Sequence, residues 1–106
     1  MNNKYHARKT YSQLCGRTFD SKLECERGEQ LRMMEMAREI GQLQYQAIFP
    51  LCEKPKVTIT IDFSYLINDP PYIKYEDAKG VMTRDFRTKL AWLKQKYGIE
   101  VEIYRG

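Results

Sequence analysis

Two aspartates and a lysine in this chain have types and spacing that suit metal-dependent chemistry on a phosphodiester. Asp62 lies within a strongly β-prone run, and Asp77 and Lys79 follow it in the segment Tyr75–Gly80. Residues two apart on a strand point to the same face, so Asp77 and Lys79 share one. If Asp62 lies on the neighbouring strand, that face holds two carboxylates beside an ammonium group. Such a set predicts a site that places a divalent cation and an activated water against a phosphodiester.

The same residues also fit an ordinary structural arrangement, in which Lys79 forms a salt bridge with one aspartate on a solvated strand face. Whether Asp62 and Asp77 meet depends on the register of the hairpin, which the sequence leaves open. If they do meet, their charges repel strongly unless a cation lies between them. Aspartate has a low β-propensity, so two aspartates within β-rich strands favour a role beyond folding.

Three further polar residues are candidates for the same site. Glu24 and Glu26 lie in the first turns of the first predicted helix, and helical spacing does not decide which of them faces the sheet. A capping box with Ser21 is sufficient by itself to account for Glu24. Gln46, on the first predicted core strand, is the third candidate, with a plain surface position as its alternative.

The elements that must position these residues follow from periodicity and capping signals. Ser21 predicts one helix start, Thr83 predicts a second, and Gly98 predicts where the second helix ends. Alternation of apolar and polar residues over 57–65 predicts the clearest strand. The full prediction is a short strand over 15–19, a helix over 21–41, strands over 43–51, 57–65 and 72–79, a helix over 83–98 and a strand over 99–104. This α-β-β-β-α-β order predicts an α/β fold, with a central mixed sheet flanked by two helices.

Positive charge is concentrated at both ends of the 106-residue chain, which is long enough for one domain with one core. The formal net charge is +4, with about +3 over residues 1–20 and about +4 over residues 84–96. Basic ends around a slightly acidic centre fit a nucleic-acid backbone, although solubility accounts for them equally well. We predict a flexible basic arm over 1–12 and a single domain over 13–106. The predicted DNA contacts are Lys4, Arg8, Lys9, Arg17, Arg84, Arg87 and Lys89.

Counting residue types excludes several kinds of protein. The three cysteines make an odd number without a C-x-x-C spacing, which argues against a disulfide framework and a structural zinc site. His6 is the only histidine and lies in the predicted arm, so catalysts that need two histidines are excluded, and a Ser-His-Asp triad is nearly so. The sequence has no glycine-rich phosphate loop, signal peptide or membrane-spanning run, and we expect a soluble, intracellular protein without a membrane partner.

The order of elements and residues resembles the PD-(D/E)xK nuclease superfamily, whose restriction-endonuclease-like core is α-β-β-β-α-β. More narrowly, the chain is similar to a family of small phage-encoded proteins grouped near Holliday-junction resolvases. The matching segments span nearly the whole chain and are Lys4–Ala7, Phe19–Glu24, Ile40–Gln46, Asp62–Tyr65 and Glu76–Gly80. One departure is Ile61, which replaces the proline of the PD pair and weakens the specificity of the motif.

The resemblance implies a Mg²⁺- or Mn²⁺-dependent endonuclease that acts on DNA, at branched intermediates, in the cytoplasm of a phage-infected cell. It implies that Asp62, Asp77 and the backbone carbonyl of Ala78 bind the metal. It prefers Glu24 over Glu26 as the further ligand from the helix. It also implies that Lys79 assists the attacking water and that Gln46 supports the site.

Two other functions remain alternatives to this expectation. A DNA-binding or assembly protein would keep the fold and the basic ends without cutting. A carboxylate-only nuclease of another fold would make Lys79 incidental. If the chain is a nuclease of either kind, metal-dependent with Lys79 or carboxylate-only, one small domain reaches one scissile phosphate at a time. Symmetric cutting of two strands would then need a two-fold homodimer.

Overall fold

A mixed sheet and two helices dominate the computed structural model, which describes residues 8–106 of the chain. The elements are β1 (Thr10–Ser12), β2 (Arg17–Phe19), α1 (Lys22–Met36), β3 (Gly41–Cys52), β4 (Val57–Asn68), β5 (Pro71–Ala78), α2 (Arg84–Tyr97) and β6 (Val101–Tyr104). β1 and β2 form a small antiparallel sheet, and β3 to β6 form a four-stranded sheet in chain order. Its first two pairings are antiparallel and the β5–β6 pairing is parallel. The predicted α/β class with a mixed sheet is confirmed.

Both helices begin, and α2 ends, where local chemistry directs them. The Ser21 hydroxyl accepts the backbone N–H of Glu24 at 3.0 Å, and the Thr83 hydroxyl accepts that of Phe86 at 3.1 Å. Each bond satisfies a backbone donor that has no partner within the helix. Gly98 ends α2 with φ 71°, in the left-handed region that glycine adopts without a steric penalty. The predicted starts of both helices are confirmed.

Helix α1 is shorter than predicted, because it ends at Met36 and not near Gly41. Arg38 adopts φ 63°, which takes the chain out of the right-handed helix. The chain then enters β3 at Gly41. The residues read as a final helical turn are therefore a connection between α1 and the first strand of the large sheet.

Two apolar clusters form the core, one packed with each helix. The cluster near α1 contains Phe19, Cys25, Leu31, Ile40, Phe63 and Tyr65. The cluster near α2 contains Leu51, Ile59, Ile61 and Leu93. Ile61 belongs to one cluster and Phe63 to the other, so Asp62 lies where the two meet.

The predicted N-terminal arm overlaps an ordered element. Residues 10–12 form β1, and the buried Ser12 hydroxyl donates a hydrogen bond of 2.7 Å to Glu29 on α1. These three residues therefore pack with the domain. The rest of the predicted arm, residues 1–7 with Lys4, lies outside the described residues. No helix in the described range 8–106 is long and apolar enough to cross a membrane.

Candidate functional site

The register of the β4–β5 hairpin brings Asp62 and Asp77 together. Phe63 pairs with Glu76, so the next position along the antiparallel ladder sets the two aspartates opposite each other. Asp77 Oδ1 accepts the backbone N–H of Asp62 at 2.9 Å, and Asp62 Oδ2 accepts the backbone N–H of Ala78 at 3.0 Å. Each carboxyl group thus extends the hydrogen bonding between the strands. The sequence did not determine the hairpin register, and in the structure this register places the two aspartates next to each other.

Gln46 connects the glutamate of α1 to this pair. Its side-chain amide donates to Glu24 Oε2 at 3.1 Å and lies 3.4 Å from Asp62 Oδ1. The Gln46 backbone has φ 59°, a left-handed conformation within β3. Glu24 is 4% exposed, whereas Glu26 is exposed and accepts a hydrogen bond from the Tyr104 hydroxyl. The structure therefore places Glu24 with the aspartates and Glu26 away from them.

Lys79 supplies the positive charge of the site. Its Nζ lies 3.3 Å from Asp77 Oδ2 and 4.3 Å from the ring centroid of Phe86, which is on the first turn of α2. Asp77 is fully buried, and within the described residues its Oδ2 accepts no hydrogen bond of good geometry. The ammonium approaches this oxygen closely enough for an ion pair, but without the alignment of a strong hydrogen bond. The salt bridge considered as a structural alternative is present, beside two further carboxyl groups.

Burial and mutual repulsion make these carboxyl groups weak acids. Burial, together with the charges of Asp77 and Glu24, raises the pKa of Asp62 to about 8. Burial, with the charges of Asp20 and Asp77, raises the pKa of Glu24 to about 7. Burial also raises the pKa of Asp77, although Lys79 opposes the shift. Near neutral pH the site therefore favours protons or a cation over three bare negative charges.

The carboxylate oxygens of the site are suitable ligands for a hard divalent cation, but its described side chains are not arranged around a single metal position. Carboxylate oxygens are the ligands that Mg²⁺ prefers, and Asp77 Oδ2 is buried without a hydrogen-bond donor. Within residues 8–106, however, no three His, Cys, Asp or Glu side chains are arranged to hold a metal ion. The Gln46 amide, a hydrogen-bond donor, reaches both Glu24 and Asp62. Asp62 and Asp77 as metal ligands therefore stay predictions, as do Glu24 and the Ala78 carbonyl.

The predicted DNA contacts occupy different surroundings. Arg84 and Arg87 are exposed on α2, and Arg8 is exposed before β1. Two lysines are in ion pairs, Lys9 with Asp20 at 3.4 Å and Lys89 with Asp85 at 3.6 Å. Arg17 differs from all of these, because its guanidinium carbon lies 4.5 Å from the ring centroid of Tyr45 and 5.2 Å from that of Phe19.

Comparison with known proteins gives the family of the chain. A family model described as "Protein of unknown function (DUF1064)" matches residues 2–104. The chain belongs to this family. All of the candidate site residues lie within the matched range. No curated protein and no solved structure matches the chain.

Three contacts of this DUF1064 chain were not predicted from its sequence. Arg27 on α1 donates to both carboxylate oxygens of Glu76, at 2.8 and 2.9 Å, and the Tyr65 hydroxyl also donates to Glu76. Arg27 and Glu76 are far apart in sequence and belong to no common motif, so no sequence signal pairs them. Phe86 on α2 lies against Lys79, a contact that no sequence signal indicated.

Proposed function

We propose that this chain is a metal-dependent endodeoxyribonuclease that hydrolyses phosphodiester bonds in DNA, with branched DNA as its substrate. The observation that supports the proposal most is the meeting of Asp62 and Asp77 across the β4–β5 hairpin, with Lys79 beside them. Carboxyl groups gathered in one place, with raised pKa values, are typical of catalytic and metal-binding sites. The resemblance to PD-(D/E)xK nucleases supports the same assignment.

Each site residue has a task that follows from its contacts. Asp62 and Asp77 would hold Mg²⁺ or Mn²⁺, with Glu24 as a further ligand. A divalent cation bound there supplies charge stabilisation and a more acidic water. Lys79 is held between Asp77 and Phe86, where its ammonium orients the attacking water and balances charge on the phosphate. Gln46 fixes the spacing of Glu24 and Asp62 through its amide.

A cleavage assay with branched, nicked and linear DNA in Mg²⁺ or Mn²⁺ tests this proposal. We expect cleavage that EDTA abolishes. Asp77→Ala should reduce the rate by roughly a thousandfold, because metal-held transition-state stabilisation is worth several kcal/mol. The matched control is Glu53→Ala, in the exposed β3–β4 turn, which should cut like the unchanged protein. Cleavage that survives Asp77→Ala would sink the assignment.

A DNA-binding or assembly protein that keeps this fold without cutting is the second candidate. It is favoured by the absence, in the described part of the chain, of three acidic, His or Cys side chains arranged for a metal. Calorimetric titration with Mn²⁺ separates the two functions. A nuclease requires stoichiometric binding that Asp62→Ala abolishes, whereas DNA binding without Mn²⁺ binding favours the second candidate.

The proposed activity on branched DNA carries a requirement for assembly. One site reaches one scissile phosphate at a time, so symmetric cutting of two strands requires a two-fold homodimer. Sedimentation velocity with and without a DNA junction measures the oligomeric state. Paired, symmetric cuts made by a protein that stays monomeric on the junction would exclude this requirement.

A further inference from the structure

Arg17 is set apart from the other cations of the chain by how it is held. Its guanidinium lies over the rings of Tyr45 and Phe19, which themselves pack edge to face with centroids 5.7 Å apart. An arginine held against aromatic rings keeps its planar donors in one orientation and is only weakly hydrated. The Arg17 side chain is thus preorganised for binding a ligand.

The charge of Arg17 has no carboxylate partner among residues 8–106. Within the described residues its guanidinium forms no ion pair within 4.0 Å, and residues 1–7 contain no Asp or Glu. Its Nε is buried and has no hydrogen-bond acceptor among the described residues. A buried charged donor without an acceptor is unfavourable, so its presence calls for a gain elsewhere. An anion bound at the outer guanidinium nitrogens provides that gain.

The position of Arg17 relates it to the carboxyl groups. It lies on β2, and the chain passes from β2 to the Ser21 cap and then to Glu24. Tyr45, on which it stacks, is the neighbour of Gln46, whose amide binds Glu24. The Arg17 charge lowers the pKa of Glu24 against the larger effect of burial, as expected for a cation near that carboxyl group.

We infer that Arg17 binds a backbone phosphate of the nucleic acid next to the phosphodiester held at Asp62 and Asp77. This inference rests on the proposed function, and it deepens it by naming a contact that positions the strand beside β2 and the start of α1. A planar guanidinium binds phosphate through two parallel hydrogen bonds, which lysine cannot form. Arg17 is therefore a substrate-binding residue, and the exposed α2 arginines are supplementary.

Binding of a fluorescein-labelled DNA duplex, measured by anisotropy in EDTA over a range of salt concentrations, tests the inference without any cleavage. Arg17→Gln should weaken binding roughly tenfold at low salt and reduce the slope of log K against log salt by about one. Arg17→Lys should keep most of the slope but bind more weakly than the unchanged protein, because it keeps the charge and loses the planar contact. The matched control, Arg38→Gln, removes one exposed charge after the opposite end of α1 and should change neither quantity.

The outcomes separate this inference from the proposed nuclease activity. A reduced slope for Arg17→Gln alone supports the inference, whether or not the unchanged protein cuts DNA. An Arg17→Gln variant that binds like Arg38→Gln overturns it, while the cleavage assay on Asp77→Ala still decides the nuclease proposal. A lowered melting temperature with an unchanged slope would make Arg17 a structural link between β2 and β3, and would also overturn it. So would a failure of the unchanged protein to bind the duplex at low salt.

Discussion

Glu76 and Asp77 are neighbours on β5 and both are buried, but the groups around them compensate that burial to different extents. Glu76 receives two hydrogen bonds from Arg27 and one from Tyr65. Although burial alone raises its pKa, these bonds bring the pKa of Glu76 below its ordinary value. Burial raises the pKa of Asp77, because the Lys79 ammonium and the hydrogen bonds from Asp62 and Lys79 offset only part of the effect.

The difference shows that burial alone does not distinguish a structural carboxylate from a functional one. The negative charge of Glu76 is neutralised by its partners within the fold, so Glu76 is not suited to bind a cation. Asp77 and its neighbours are under-compensated, so a cation or protons complete them. The same strand thus carries a structural acid on one side and a candidate site on the other.

The largest predicted effect tests the structural side. Glu76→Gln leaves the Arg27 guanidinium, 19% exposed, without its counter-charge, and should lower the free energy of unfolding by about 3–5 kcal/mol. Urea denaturation measures this change. As a control, Glu100→Gln breaks the exposed pair with Lys94 and should leave the unfolding free energy nearly unchanged. Equal losses in the two variants would remove the distinction between Glu76 and an ordinary surface acid.

The next effect concerns the cation beside Asp77. Lys79→Gln removes the ammonium that we propose orients the attacking water, and should slow DNA cleavage by about a hundredfold while Mn²⁺ binding persists. Steady-state cleavage rates and a Mn²⁺ titration measure the two properties. Lys56→Gln, in the exposed turn before β4, is the control and should cut normally. Full turnover by Lys79→Gln would indicate a carboxylate-only nuclease in which this lysine is incidental.

A smaller effect should appear in the pH dependence of stability. Because the pKa of Asp62 is about 8 in the fold and near 4 when unfolded, the folded state binds more protons between those values. The stability contributed by the protonated carboxyl is present below about pH 4 and is lost as the pH rises to about 8. Asp62→Asn removes that loss, so it should raise the melting temperature at pH 8 by roughly 5 °C and change little at pH 4.

The matched control for this effect is Glu39→Gln, an exposed residue after α1. It should give no pH-dependent difference in thermal melts. Mg²⁺ at pH 8 should stabilise the unchanged protein more than Asp62→Asn, because the cation compensates the same charges. An Asp62→Asn gain that is equal at pH 4 and pH 8 would contradict a raised pKa.

The smallest effect isolates the backbone at Gln46. Gln46→Ala and Gln46→Gly both remove the amide between Glu24 and Asp62, and differ mainly in their tolerance of φ 59°. The glycine variant should be the more stable of the two by about 1 kcal/mol in urea denaturation, since glycine adopts a left-handed conformation without strain. The opposite order would mean that β3 relaxes locally once the amide is lost.

Local signals in the sequence predict much of this fold. Ser21, Thr83 and Gly98 act through hydrogen bonds to residues a few positions away. The starts of both helices and the end of α2 could therefore be predicted from the sequence. The alternation in β4 also specified a strand with one apolar row. Arg38, whose left-handed φ shortens α1, carries no such signal.

The sequence allowed us to predict which residues form the candidate site, but not which of them contact each other. Asp62 and Asp77 were recognisable as unusual strand residues, yet their meeting depends on a register that turn geometry and packing decide together. The choice of Glu24 over Glu26 needed a family resemblance, because helical spacing does not decide which of them faces the sheet. Tertiary partners such as Arg27 for Glu76 and Phe86 for Lys79 arise only once separate elements pack.

The position of β4 inside the sheet affects how slowly its backbone hydrogen bonds open. β4 is hydrogen-bonded on both sides, whereas in the described part of the chain β1 and β2 pair with each other alone, over three residues. In native-state hydrogen exchange, the amide of Asp62 should therefore open only with the whole domain, while the amide of Arg17 opens by local fraying. The carboxyl groups of the candidate site are therefore anchored in the part of the fold that opens most slowly.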